Sequence, residues 1–329
     1  MGLRRADKAS VFWLLFPFFG LWLFFWLVPL FFGVDLALQN PGYSPEHRDS
    51  IERVNKDSVF HFNWLNPPTI EIEETESIKY VGLENFSRVL SDDKFYKALK
   101  NTSFYVFGSI MFILPLGFAL SLALFQLSRM SRGFLVFCLL IPSLALPSVL
   151  STLFYLFFHG RTGALNQYFV IPLGFAPVNW MMDPLFIMPS LIMQSVWRWT
   201  GLVTLFFLCG LEAIPRWQWE VVKLEGVGFW MRIRKIFLPN LWHLVLFAVV
   251  FLVVDGFASF SGAYNLLGGS GGIMDAGLLL VTYVYQVAFP GGSGRFDFPG
   301  AAAMSLLIVP ITAFILFIIL QTRHRWSLR

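Results

Sequence analysis

The chain is poor in everything a soluble enzyme would use. Its 329 residues hold only two cysteines, Cys138 and Cys209. Both sit inside long apolar runs, so no disulfide framework is implied. His47, His61, His159, His243 and His324 are scattered, with no His-x-x-x-His spacing, no Ser/His/Asp set and no paired carboxylates at one mouth. That leaves neither a catalytic constellation nor a metal site to argue from. Charge is scarce as well, at 13% of residues, too little for the surface of an ordinary soluble domain. No loop has the Gly-rich, Lys-Ser/Thr form that cradles phosphates. The nearest approach, LeuLeuGlyGlySerGlyGly at 266–272, lacks both the lysine and a preceding buried strand, and reads as a flexible turn. Nothing marks a nucleic-acid face either, because the net charge of +4 comes from short basic clusters.

What is present is apolar length. Hydrophobic residues make up 57% of the chain and aromatics 18%. About 20 apolar residues at ~1.5 Å rise span about 30 Å of hydrocarbon, and runs of at least that length recur. They place six transmembrane helices near 11–34, 101–127, 133–158, 184–211, 241–263 and 299–322. In lipid the backbone must satisfy its own hydrogen bonds, which runs of this length do as helices. The run at 276–289 is too short to cross and is followed by Pro290 and glycines, so it reads as an interfacial or re-entrant helix. The first run is too long for a cleaved signal peptide and lacks a small-residue cleavage site.

Lys and Arg placement sets the orientation. Arg4, Arg5 and Lys8 precede the first span, and Arg323, Arg325 and Arg329 follow the last. With both termini cytoplasmic, the inner segments 1–10, 128–132, 212–239 and 323–329 hold 13 of the 24 Lys and Arg residues. Most of the outer basic residues sit in one long loop, which the rule discounts. The organisation is then a first segment and span (1–35), an external loop (36–97), a core of five spans (98–322) and a short tail (323–329). Residues 41–79, with four prolines and an acidic cluster, form either a small external excursion or a disordered loop. From Val81 to Asn101 the pattern is that of an amphipathic outer helix feeding the second span.

The inner segment 212–239 is far longer than the other inner links. Pro215 suits a helix start, and Trp217, Val221 and Leu224 recur on one helical face. Gly226 breaks the pattern, and a second short helix, Phe229 to Phe237, reaches Pro239. Two short helices around a glycine elbow are a part that touches something: either the inner lipid surface, through Arg232, Arg234 and Lys235, or a soluble partner. Glu212, Glu220 and Glu225 speak against the lipid.

This segment resembles the coupling-loop signature of binding-protein-dependent ABC importer permeases: a Glu-Ala-Ala run, then Asp/Glu-Gly, then Ile-x-Leu-Pro. Here it reads Glu220-Val221-Val222-Lys223-Leu224-Glu225-Gly226, followed by Ile236-Phe237-Leu238-Pro239, with valines in place of the alanines. GlyLeuGluAsnPhe at 82–86, Asn101-Thr102, Gly163-Ala164-Leu165-Asn166 and Ala301-Ala302-Ala303-x-Ser305 resemble the carbohydrate-uptake branch. The resemblance covers about 81–320, leaving 41–79 as an insertion. It implies an all-α, multi-pass transmembrane helical bundle of six spans, the type I ABC importer permease (MetI-like) fold, in the cytoplasmic (inner) membrane. It also implies a homologous second permease, two ATPase subunits holding ATP-Mg, and an extracytoplasmic solute-binding protein. This chain would bind no cofactor and catalyse nothing. Glu220 would meet a basic group of the ATPase, with Val221, Val222, Glu225, Gly226 and Pro239 completing the coupling element. The alternative is a self-contained secondary carrier or channel, for which two intramembrane charges are few.

Those two are Arg198 and Asp255. A charge at the bilayer centre costs on the order of 2.5–3.5 kcal/mol on insertion scales, so each must face protein or water. Either they form a buried ion pair or interface contact, or Asp255, with Arg198 and Trp199, lines the cargo pathway. Trp197, Trp199 and Phe260 are candidates to stack on sugar rings.

Overall fold

A computed structural model of the chain describes residues 8–40, 79–224, 226, 228–289 and 297–326. The helices are α1 (Lys8–Ala37), α2 (Glu84–Leu90), α3 (Asp93–Phe125), α4 (Arg129–Leu144), α5 (Pro147–Phe157) and α6 (Pro184–Glu212). They continue with α7 (Arg216–Leu224), α8 (Phe229–Arg232), α9 (Leu238–Phe257), α10 (Ser261–Leu266), α11 (Leu280–Ala288) and α12 (Phe298–Trp326). No strand occurs among the described residues beyond one isolated bridge.

Five of the described helical stretches are long and apolar enough to cross a membrane, and a bent pair makes six where it is counted as one span. The bent pair is the expected third span, 133–158, which is not one rod. α4 and α5 meet at 96°. Proline forbids the helical region to the residue before it; Ala145 and Leu146 are accordingly extended (ψ 143° and 133°) ahead of Pro147. The fifth span also differs from expectation. Its helix ends at Phe257 rather than near 263, and the chain turns into the separate α10. The outer helix expected from 81 to 101 is interrupted, with α2 ending at Leu90 and α3 starting at Asp93. The 276–289 segment supplies the nine-residue α11, whose Leu280, Tyr283 and Val287 are buried. That burial matches a re-entrant element better than an interfacial one.

The described residues fall into two compact units. In the first, residues up to 92 with 284–308, the 41–78 segment is bracketed by a pinch. Gln39 and Tyr80 form an antiparallel bridge, the Asn40 N–H donates to the Lys79 carbonyl at 2.7 Å, and the Val81 N–H to Leu38 at 2.8 Å. Asn85 is buried beneath it and donates to the carbonyls of Ala37 and Gln39 at 2.7 and 2.8 Å, satisfying the end of α1. Arg88 pairs with Asp297 at 2.8 Å, and Asp297 caps α12 through the Gly300 N–H at 2.8 Å.

The second unit, 93–283 with 309–329, is organised around α6. Ile113 of α3, Trp199, Val203 and Phe207 of α6, and Ala248 and Leu252 of α9 make its core. Lipid tails give apolar helices no reason to associate, so small residues that admit close approach decide the packing. A Cβ at Gly201 would sit 1.8 Å from the Leu139 carbonyl oxygen, at Gly117 2.9 Å from Val203, and at Gly256 2.6 Å from Val106. α4, α3 and α9 each meet a neighbour across one of these glycines.

Two expectations follow. Gly201→Ala should lower stability by about 1–3 kcal/mol, because the obstacle is backbone rather than a yielding side chain; thermal unfolding in detergent measures it. Replacing residues 41–78 by a short Gly/Ser link should leave the melting temperature nearly unchanged, since loop closure varies only slowly with loop length.

Candidate functional site

The inner segment is built on aromatic packing. α7 begins at Arg216, one residue after Pro215. Trp219 stacks on Phe125 of α3 at 5.3 Å and 16° and meets Phe237 at 5.5 Å. Leu211, Ile214, Phe237 and Leu241 form the buried cluster beneath. The Asn240 amide donates to Gln218 at 2.9 Å, and Arg132 pairs with Glu212 at 2.7 Å. α7 is therefore fastened along one side to the ends of α3, α6 and α9.

The opposite side is bare. Trp217, Val221 and Leu224, the expected apolar face, are 62, 42 and 88% exposed, and Glu220 lies exposed among them. Gly226 follows at φ +60°, a backbone region in which an L side chain is strained. Glu225 lies outside the described residues, and for Val222 only its place in α7 is described. The second half of the expected knob is corrected. Phe229–Arg232 is helical, but a π-helical turn, Ile233–Phe237, carries it straight into α9. Pro239 follows that π-helical turn by two residues, and the helix runs on through it. One short helix, α7, thus precedes Gly226, and the segment from Phe229 onward is continuous with the fifth span. Trp219 was missed in the sequence. Its signal was an aromatic two positions from Trp217, off the apolar stripe.

Within the spans, Arg198, Trp199 and Asp255 come together, though not as an ion pair. The Trp199 indole N–H donates to an Asp255 carboxylate oxygen at 2.7 Å, and the Arg198 guanidinium lies 4.5 Å from the centre of the same indole. One ring thus serves both charges, by hydrogen bond at its edge and cation–π contact at its face. Asp255 sits in the last turn of α9, because the helix ends at Phe257 rather than near 263. The Ser151 hydroxyl, with a single proton to donate, lies within reach of the carbonyls of Pro147, Gly262 and Ser261, at 2.9, 3.1 and 3.5 Å. The Gln194 amide donates in turn to Ser151 at 2.9 Å.

Around this cluster Tyr105, Gln194, Ser195, Arg198, Trp199 and Ser259 line a small recess. The Tyr105 hydroxyl hydrogen-bonds with Ser195 and Ser259, and Arg198 Nε is buried without a protein partner. Trp197 packs edge-on against Phe154 and Phe260 stacks on Tyr264; neither lines the recess. The recess holds about 20 Å3, room for a water molecule rather than a sugar ring, and its hydroxyls, amide and guanidinium can exchange hydrogen bonds. Tyr105, Ser195 and Gln194 were not singled out in the sequence, where neutral polar residues in apolar runs do not stand out.

Trp199→Phe keeps an aromatic face for Arg198 and removes the donor to Asp255. It should cost about 1.5–3 kcal/mol, the range for a hydrogen bond to a charged group, read as a lowered unfolding midpoint in detergent.

Residues 101–325 match the family model described as binding-protein-dependent transport system inner membrane component. The probable ABC transporter permease protein YesP of Bacillus subtilis is 31% identical over 75% of this chain and 79% of its own length. The arabinooligosaccharides transport system permease protein AraP of the same organism is 30% identical over 70% of this chain and 73% of its own. The trehalose/maltose permease protein MalF of Thermococcus litoralis is 30% identical over 63% of this chain and 69% of its own. The fold is that of a chain in the crystal structure of a bacterial alginate ABC transporter in complex with an alginate pentasaccharide-bound periplasmic protein, with TM-score 0.72, 17% identity and 98% of both chains covered. With a family model spanning α3 to α12 and relatives alike over most of their length, this chain belongs to the inner membrane components of binding-protein-dependent transport systems.

Proposed function

We propose that the chain is one permease half of an ATP-driven importer for a sugar or oligosaccharide, coupled to an ATPase through α7. The observation that carries the reading is the divided surface of α7: Trp219 anchors one side to the spans, and Trp217, Glu220, Val221 and Leu224 stand exposed on the other. A helix with one face fixed and an apolar face uncovered is suited to a groove in a second protein. In the proposed topology both termini and α7 are cytoplasmic, a homologous second permease completes the pathway, and a solute-binding protein docks outside. ATP-driven closure of two ATPase subunits would move the grooves that hold α7. Trp219 would pass that movement to the ends of α3 and α9, and Gly226 would let α7 turn against the base of the fifth span.

Sugar cargo is supported by the relatives' cargo names, arabinooligosaccharides and trehalose/maltose among them, and by the hydroxyls and amide gathered beside Arg198 and Trp199. We assign Asp255, Arg198 and Trp199 to that pathway and Glu220 to the ATPase contact.

Leu224→Asp places a charge on the exposed face without disturbing the anchored one. It is expected to reduce co-purification of the ATPase at least about tenfold, roughly 1.4 kcal/mol, while the chain keeps its membrane yield. Gly226→Pro, whose ring cannot reach φ +60°, should leave assembly intact and uncouple ATP hydrolysis from uptake. Normal uptake in a normally assembled Gly226→Pro complex would refute the coupling role.

A further inference from the structure

A second cavity, of about 570 Å3, opens between the end of α5, the segment leading into α6 and the end of α10. Its size is within the range of small-molecule sites, and its walls are fixed. Asn166, buried in the preceding loop, donates to the carbonyls of Gly160 and Val178 at 2.7 and 2.8 Å. Its side-chain oxygen accepts from the Val178 N–H at 3.2 Å and the Trp180 indole at 2.9 Å. Trp180 is also held against Phe158 and Phe186. This is a braced pocket rather than a gap in a loop.

Arg161 is the one Lys, Arg, Asp or Glu in that wall. It is exposed and has no acidic partner among the described residues. His159 Nδ1 faces Thr162, with the N–H at 3.3 Å and the hydroxyl at 2.9 Å. The Asn179 amide and the rings of Tyr155 and Trp180 complete it, and no carboxylate lines it.

The cavity and the recess at Trp199 lie in tandem. Leu150 and Gly262 border the recess, Tyr155 and Leu266 the cavity. These residues are four or five positions apart on α5 and α10, roughly 6–8 Å of helix. Between them stands the Gln194–Ser151–Gly262 knot.

We propose that this cavity is an outer sugar subsite for a uronic acid residue, the Arg161 guanidinium taking the carboxylate while Tyr155 and Trp180 supply an aromatic wall. The proposal rests on the importer reading and names its substrate class. A guanidinium matches a carboxylate in a two-bond fork that no neutral sugar can use.

The test uses the full complex, purified with its co-purifying subunits and binding protein and reconstituted in nanodiscs. Binding of a labelled diuronate is compared with that of the neutral disaccharide of the same linkage. The diuronate is expected to bind at least about tenfold more tightly, and Arg161→Gln should erase that preference, the scale of one charge-assisted bond. Asp255→Asn should retain it. Equal binding of the two sugars, or a preference that survives Arg161→Gln, overturns the subsite and leaves the importer reading standing. If Arg161→Gln weakens only the binding protein's association, the cavity is a protein contact and the proposal fails. A complex whose ATP hydrolysis responds to no sugar overturns both.

Discussion

The architecture depends on close approach of backbones to α6. Where lipid removes the hydrophobic reason for helices to associate, packing contacts must hold the bundle. Here they are reached because Gly201 faces the Leu139 carbonyl and Gly117 faces Val203 with no side chain between. On another side of α6, α9 lies near enough for Trp199 to reach Asp255.

Two tryptophans translate this frame into working parts. Trp199 holds a guanidinium at its face and a carboxylate at its edge. Trp219 does the analogous job at the inner end, where stacking on Phe125 and contact with Phe237 bind a polar helix to apolar spans. Each indole is a rigid spacer with a fixed geometry, so a shift of α7 and a shift at the recess would be communicated by solid packing along α3 and α9 rather than absorbed.

Reading the sequence located the spans well because uncharged length is a direct physical requirement of the bilayer. α1, α6 and α12 begin or end within a few residues of the expected limits. It located breaks poorly. Pro147 was a visible warning that the third apolar run would bend, yet apolar length alone conceals a corner. The short motifs proved informative for a reason their spacing did not disclose. Asn85 closes the end of α1, Asn166 braces the loop before α6, and Asn101 and Thr102 hold the run into α11 through the carbonyls of Asp275 and Leu278 and the Leu280 N–H. Each is a side chain supplying what irregular backbone lacks, and such partners come from distant positions that no local pattern reveals. The exposed stripe of α7 was legible as apolar, but that Trp219 rather than Trp217 would anchor it required knowing where Phe125 and Phe237 stand.

The corner between α4 and α5 constrains where the bilayer can lie. Pro147 offers no N–H to the carbonyl of Ser143, and the first amides of α5 have no preceding turn to receive them. Hydrocarbon would leave those groups unsatisfied at several kcal/mol apiece. Leu144 and Leu146 nevertheless stand largely exposed on the isolated chain, at 77 and 70%. The bend must therefore be wetted, or roofed by protein, and it fixes a depth at which this chain cannot be surrounded by lipid on all sides.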